Sequence, residues 1–273
     1  MLASLELRIK TILEIFANKD PVARWCLEVK GIGPVIAAGL VALIDIHKAP
    51  TAGHIWSYAG INPNQVWEKG QKRPWNERLK TLSWKIGQSF RFNCNKPDSP
   101  YGEIFKERKA YETENNLSGC LSDQAKEKLA KYKIGKDTIA YKWYAGCFTR
   151  KDAEKILAEP ELRARGILMK ELEKKPGEGI QMLPPAHIEQ RAMRYATKIF
   201  LSHLHEVWYE YEFKCKPPAP FAIAILGHAH KINPIRPIIE SSKYIAFDPK
   251  DDLVYPEETD KSLEDEFFTD TDS

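Results

Sequence analysis

The run Trp25-Cys26-Leu27-Glu28-Val29-Lys30-Gly31-Ile32-Gly33-Pro34-Val35-Ile36-Ala37-Ala38-Gly39-Leu40-Val41-Ala42-Leu43-Ile44 decides how this chain folds. Apolar residues lie on both sides of a Gly-x-Gly-Pro turn, which predicts a helix, a tight turn and a second apolar helix rich in small residues. Pro34 suits an early helical position, where its missing N–H costs nothing. This is the pattern a helix-hairpin-helix needs. The glycines permit a sharp bend and bring amides, those of Gly31, Ile32 and Gly33 included, to the N-terminus of the second helix, where they can cradle a phosphate. Lys30 adds a charge beside the turn, and the contact would reach phosphate and not base edges. A structural turn that binds nothing fits the same four residues.

Working outward, Leu5, Ile9, Ile12, Leu13 and Phe16 form one apolar stripe of an amphipathic helix over residues 1–19. The stripe is expected to make an ordinary core contact, with a dimerising helix as the other reading. After Asp45, residues 51–60 predict a short helix capped by Thr51 and stopped by Gly60. A basic loop follows, with Lys69, Lys72, Arg73, Asn76, Arg78 and Lys80, and it leads into a helix carrying Leu79, Leu82, Ile86 and Phe90 on one side. Between Asn115 and Met182 the composition turns Lys/Glu-rich, in segments such as Asp123–Tyr132 and Asp152–Lys175. Pro184–Phe213 returns to helical register, before a Pro-rich turn and a last helical piece at Phe221–Leu226. The expected fold is therefore mainly α. Its parts are the N-terminal helix, a helix-hairpin-helix core at 20–114, an inserted helical segment at 115–182, closing helices at 183–240 and an acidic, disordered tail at 241–273.

Charge is unevenly spread over the 273 residues, whose formal net charge is +3. Residues 1–247 hold 39 basic against 27 acidic side chains, a balance of +12, while the remainder carries −9. A body of that sign suits a polyanion, because each lysine or arginine set against a phosphate releases condensed counterions. The tail has too few apolar residues to repay the entropy of ordering. No apolar run approaches the roughly 18 residues of a membrane span, and the N-terminus lacks the order of a secretory signal. A cytoplasmic protein is expected. Five widely spaced cysteines, none in a C-x-x-C pair, indicate neither a disulfide framework nor a zinc site.

Val29–Val35 through Leu43-Ile44, then Trp56-Ser57-Tyr58-Ala59-Gly60-Ile61-Asn62-Pro63, then Lys72-Arg73 with Asn76, Leu79 and Lys80, resemble the C-terminal domain of the IS-one-ten, IS-one-sixteen and IS-nine-oh-two insertion-sequence transposases. The resemblance covers about fifty residues in order and spacing, and Tyr101–Tyr111 and His187–Trp208 resemble closing helices of longer members. It implies a DNA recombinase that pairs this domain with an acidic RuvC-like domain, works with a structured guide RNA, and links covalently to DNA through a serine. Two departures stand out. No acidic domain precedes the hairpin, and the place matching the family serine reads Asn64-Gln65-Val66-Trp67-Glu68-Lys69-Gly70. Ser57, Ser83 and Ser89 lie nearby without a motif that selects any of them, so the catalytic residue is left unassigned.

Other constellations carry less. His203 and His205 are two apart on a helix and point to different faces, His187 and Glu189 share that defect, and His228 and His230 would need an extended backbone to converge. No metal and no cofactor is expected. Trp208, Tyr209, Tyr211 and Phe213 read as helix packing, Arg163–Lys175 as a solvated helix surface, and Gly31-Ile32-Gly33 is not a dinucleotide fingerprint. The sequence thus reads as a DNA-binding, transposase-like protein of a mobile element acting in transposition or recombination. The expected contacts are Lys30, Gly31, Ile32, Gly33, Lys69, Lys72, Arg73, Asn76, Arg78 and Lys80. The alternatives are a non-catalytic DNA- or RNA-binding accessory, domesticated or truncated, and a metal-dependent nuclease using the late histidines. Implied partners are DNA, a structured guide RNA, a separate RuvC-like chain and further copies of this chain, with no membrane.

Overall fold

A computed structural model describes residues 2–62, 65–218 and 232–234. Among them the chain forms eleven α-helices, one 3-10 turn and no strand, so it is mainly α. The helices are α1 (Leu2–Lys19), α2 (Pro21–Glu28), α3 (Pro34–Leu43), α4 (Ala52–Tyr58), α5 (Glu77–Asn93), α6 (Pro100–Leu117), α7 (Ser122–Lys131), α8 (Ile139–Tyr144), α9 (Arg150–Ala158), α10 (Leu162–Glu171) and α11 (Pro185–Phe213). The 3-10 turn, Ile46–Lys48, follows α3.

Local chemistry explains the boundaries. Asp20 accepts a hydrogen bond from the Ala23 N–H at 2.7 Å, and Pro21 opens α2, an N-cap followed by a residue that needs no donor. Pro34 opens α3 in the same way. Asn76 caps α5 by accepting from the Leu79 N–H at 3.0 Å. Thr149 and Asp152 form a reciprocal capping box at the start of α9. Thr51 precedes α4 as expected, but its hydroxyl pairs with His54 Nδ1 at 2.9 Å instead of capping the backbone.

The core is organised by α11, whose 29 residues run about 43 Å. It packs against α2, α4, α5 and α6. Ala192, Ala196, Phe200 and Leu204 form its fully buried stripe. Phe200 stacks on Trp25 of α2 at 5.8 Å and meets Tyr101 of α6 edge-on at 5.3 Å, and Tyr101 stacks on Phe90 of α5 at 5.0 Å. Four helices thus converge on one aromatic cluster, in which each pair contributes about 0.5–1.5 kcal/mol beyond its burial. Two smaller apolar clusters follow. One gathers Leu117, Trp143, Phe148, Ile156, Met169 and Met182, and the other Leu121, Ala125, Tyr144, Leu183 and Ile188. The backbone after α10 closes on residues 143–148, with the Ile180 N–H donating to Phe148 O and the Met182 N–H to Trp143 O.

Several details depart from expectation. The apolar stripe of α1 is not a core contact: Ile12 is 64% and Leu5 54% exposed, and Ile9 and Phe16 are exposed as well. Among the described residues of α1, Ala17 near the C-terminal end is buried and Leu13 of the stripe is half-buried. Asp152–Lys175 is two helices, because Pro160 lacks the N–H that would continue α9 and biases Glu159 to extended backbone, φ −73° and ψ 114°. α6 runs through residue 115, where the change in composition predicts a boundary. All five cysteines are free thiols. Phe221–Leu226, His228, His230 and the acidic tail lie outside the described residues.

Candidate nucleic-acid interface

The expected contact residues divide into two groups held at opposite ends of α5. Val29–Gly33 connects α2 to α3, with the Ile32 N–H donating to Val29 O at 2.9 Å and Gly31 at φ +97°. A Cβ on Gly31 would lie 2.8 Å from Ser89 Oγ and 2.9 Å from Asn93 Nδ2, so the turn needs glycine for its backbone and for its approach to the C-terminal end of α5. Ser89 donates to the Gly31 carbonyl at 2.5 Å and fixes it there. From this end α3 runs back along α5: Gly39 packs on Leu82, and Gly39 and Leu43 line a groove of about 460 Å³ with Glu77, Arg78, Thr81, Leu82 and Lys85. The groove leads to the second group. Between Arg78 and Ser89 the helix rises about 16 Å.

At the hairpin end Lys30 is exposed, Gly33 is open on its Cβ side, and the Ile32 side chain is buried in the core. Ile32 therefore has no side chain to offer a ligand. The Ile36 N–H donates to Gly33 O at 3.0 Å, whereas helix geometry gives the Val35 N–H no partner within α3.

At the other end, residues 65–76 fold over α4 and the start of α5 around two tryptophans. Trp67 and Trp75 meet edge-on at 6.0 Å, and the Trp67 Nε1–H donates to Gln71 O. Trp75 lies against Gly60, where a Cβ would come 2.8 Å from the ring and the backbone is left-handed at φ +64°. Lys80 Nζ sits 3.8 Å above the Trp75 ring, and the Arg73 guanidinium lies 5.5 Å from that of Trp67 while pairing with Glu77. Burial, then the charge of Arg73, lowers the Lys80 pKa below its ordinary 10.5. Tyr58, Lys72, Arg73, Pro74, Trp75 and Asn76 line an open cleft of about 450 Å³. Lys72, Arg73, Arg78, Lys80 and Lys69 are exposed. Asn76 is already occupied: it caps α5, and its amide donates to Tyr58 Oη at 2.9 Å. Its role is to set the entry of α5, while the lysines and arginines supply the charge. Sequence reading missed Trp67 and Trp75, although their interleaving with basic residues was visible.

Two of the three nearby hydroxyls are committed elsewhere, and the third is buried without a hydrogen-bond partner among the described residues. Ser57 donates to Gly53 O at 3.0 Å and accepts from Asn62 Nδ2 at 2.9 Å, Ser89 holds Gly31, and Ser83 is buried. The late histidines among the described residues are equally engaged. His203 pairs with Tyr101 Oη and the Ile232 carbonyl, His205 with the Ala49 carbonyl, and His187 with Tyr144 Oη at 3.1 Å. No cluster of three or more metal-ligating side chains occurs among the described residues. Burial, then neighbouring cations, lowers the pKa of His187, and burial lowers that of His205.

Residues 23–80 match the transposase IS116/IS110/IS902 family. This family segment starts within α2 and ends in the first turn of α5, so it holds the Val29–Gly33 turn and the Trp67–Lys80 cluster together. No curated protein and no solved structure matches the chain. No helix among the described residues is long and apolar enough to cross a membrane.

Proposed function

We propose that this protein binds DNA through the phosphate backbone and serves in the transposition or recombination of a mobile element. The observation that carries the reading is the pair Arg73 and Lys80 on the Trp67 and Trp75 rings, with Lys72 lining the same cleft, all inside the family segment. Cations on aromatic faces beside an open cleft can meet a phosphate chain, and the tryptophan faces can stack on an unpaired base. Lys69 and Arg78 extend the basic surface, and Lys30 with the Gly31–Gly33 backbone forms a second phosphate contact at the far end of α5. Partners by family resemblance are a structured guide RNA and a separate RuvC-like chain, and further copies of this chain are a third proposed partner.

A second reading, a non-catalytic accessory, is favoured by the engagement of Ser57 and Ser89 and the burial of Ser83, since a nucleophile needs an accessible hydroxyl beside an activating group. One experiment separates the two. Binding to duplex and branched DNA is measured across a salt series for the full chain and for Lys72→Ala/Arg73→Ala, with denaturing gels of the same samples. The variant should bind more weakly, with a log–log salt slope shallower by about 1.8, or 0.9 for each phosphate no longer neutralised. A covalent adduct marks a recombinase, and binding without one marks an accessory. Absence of binding to any DNA or structured RNA at low salt refutes both.

A further inference from the structure

We propose that the face of α11 bearing His187, Arg191, Arg194 and Lys198 is a second track for the phosphate backbone of the same nucleic acid, beginning beside α4. The inference rests on the DNA-binding reading and extends it beyond the family segment to residues that it does not include.

Spacings of four, three and four place these side chains on one stripe of the helix, about 16 Å long. The fold accounts for only part of the stripe. Arg191 is needed to neutralise Glu112 of α6, a buried carboxylate that also pairs with Arg108, and its Nε reaches Glu112 Oε2 at 2.8 Å. Arg194 and Lys198 have no ion pair among the described residues. They are nevertheless kept beside one another and beside Arg191. Arg194 is exposed overall, yet surrounding protein desolvates its guanidinium, and this, then Arg191, lowers its pKa against the opposing field of Glu112. Burial, then Arg194, does the same to Lys198. Like charges assembled on a half-desolvated surface oppose one another, and a polyanion would relieve that cost.

The stripe also has continuity with the candidate interface. Lys198 Nζ lies 5.4 Å from the centre of the Trp56 ring, and Trp56 Nε1–H donates to the Lys198 carbonyl at 3.2 Å. Two residues on, Tyr58 receives the hydrogen bond from Asn76 and lines the basic cleft. At the other end of the stripe, His187 lies in the field of Lys128. Burial, then neighbouring cations, lowers the His187 pKa, and Arg191 is taken up by Glu112, so Arg194 and Lys198 carry the charge left for a ligand. A row of cations at helical spacing matches a repeating anion better than a single carboxylate. The ligand we assign is the sugar–phosphate chain, without base selectivity.

The test uses the full chain and a labelled duplex of about 30 base pairs in a salt series. It compares wild type with Arg194→Gln/Lys198→Gln, the charge-keeping Arg194→Lys/Lys198→Arg, and a control of equal charge change on α9 and α10, Lys155→Gln/Lys170→Gln. The neutral variant should bind about tenfold or more weakly at roughly 0.1 M salt, and its log–log slope should be shallower by about 1.8. The charge-keeping variant and the control should retain the wild-type slope. Far-ultraviolet melting shows that each variant is folded. Wild-type slope and affinity in the neutral variant overturn the track while leaving the α4–α5 interface standing, as does an equal weakening in the control. Failure of wild type to bind at all overturns both.

Discussion

Glu112 shows what a single side chain contributes to this structure. It is 2% exposed, on α6, and holds Arg108 and Arg191 against each other. Its removal would leave two guanidinium groups facing one another, so Glu112→Ala should destabilise the fold by about 3 kcal/mol in urea titration. Burial acts to raise its pKa, yet the hydrogen bonds and charges of Arg191 and Arg108 bring it below the ordinary 4.5. A carboxylate depressed in the folded state stabilises fully above its unfolded pKa, and loses that contribution as pH falls through the folded value. The urea midpoint of wild type should therefore drop on acidification below about pH 4.5 by more than that of Glu112→Gln, which has no proton to gain there. An equal drop in both would show that the triad does not titrate with folding. This triad was not legible in the sequence, because Glu112 and Arg191 are 79 residues apart on two helices. Gly31 was legible, since Gly-x-Gly-Pro between apolar runs demands a tight turn, but its seat on Ser89 and Asn93 is a tertiary fact.

At the scale of helices, periodicity identified most elements and failed where it had to name a partner. The stripe Leu5–Phe16 forms a helix as predicted, and it faces outward because periodicity reports an apolar side and not what covers it. Leu5→Lys and Ile12→Lys, both at exposed positions of the stripe, should change the unfolding free energy by no more than about 0.5 kcal/mol. A drop of about 2 kcal/mol or more would mean that the stripe is covered in solution. α5 behaved as expected, with Leu79, Ile86 and Phe90 fully buried. The division of α9 from α10 follows from Pro160, a local signal that the Lys/Glu-rich composition of Asp152–Lys175 does not express. On α11 the apolar residues were read and the basic ones were not. His187, Arg191, Arg194 and Lys198 repeat as regularly as the core positions, and the same arithmetic applied to charge would have found them.

For the whole molecule, the decisive quantity is the contrast between a +12 body and a −9 remainder. Deleting residues 249–273 raises the formal net charge from +3 to +11. The truncated chain should bind duplex DNA more tightly at low salt, with the gain fading as salt rises toward 1 M, where the Debye length falls to about 3 Å. Unchanged affinity would show that the acidic segment does not compete for the basic surface. The candidate interface was half legible at this scale: its residue types and family segment were present in the sequence, and their separation was not. Because α3 lies back along α5, the hairpin and the Trp75 cluster are fixed about 16 Å apart along a rigid helix. α5 is in effect a gauge. At about 3.4 Å per step, any duplex that touches both ends must be roughly five base pairs long or more. Affinity measured against oligonucleotide length should then rise in a step near that size, and shorter pieces should occupy one end only.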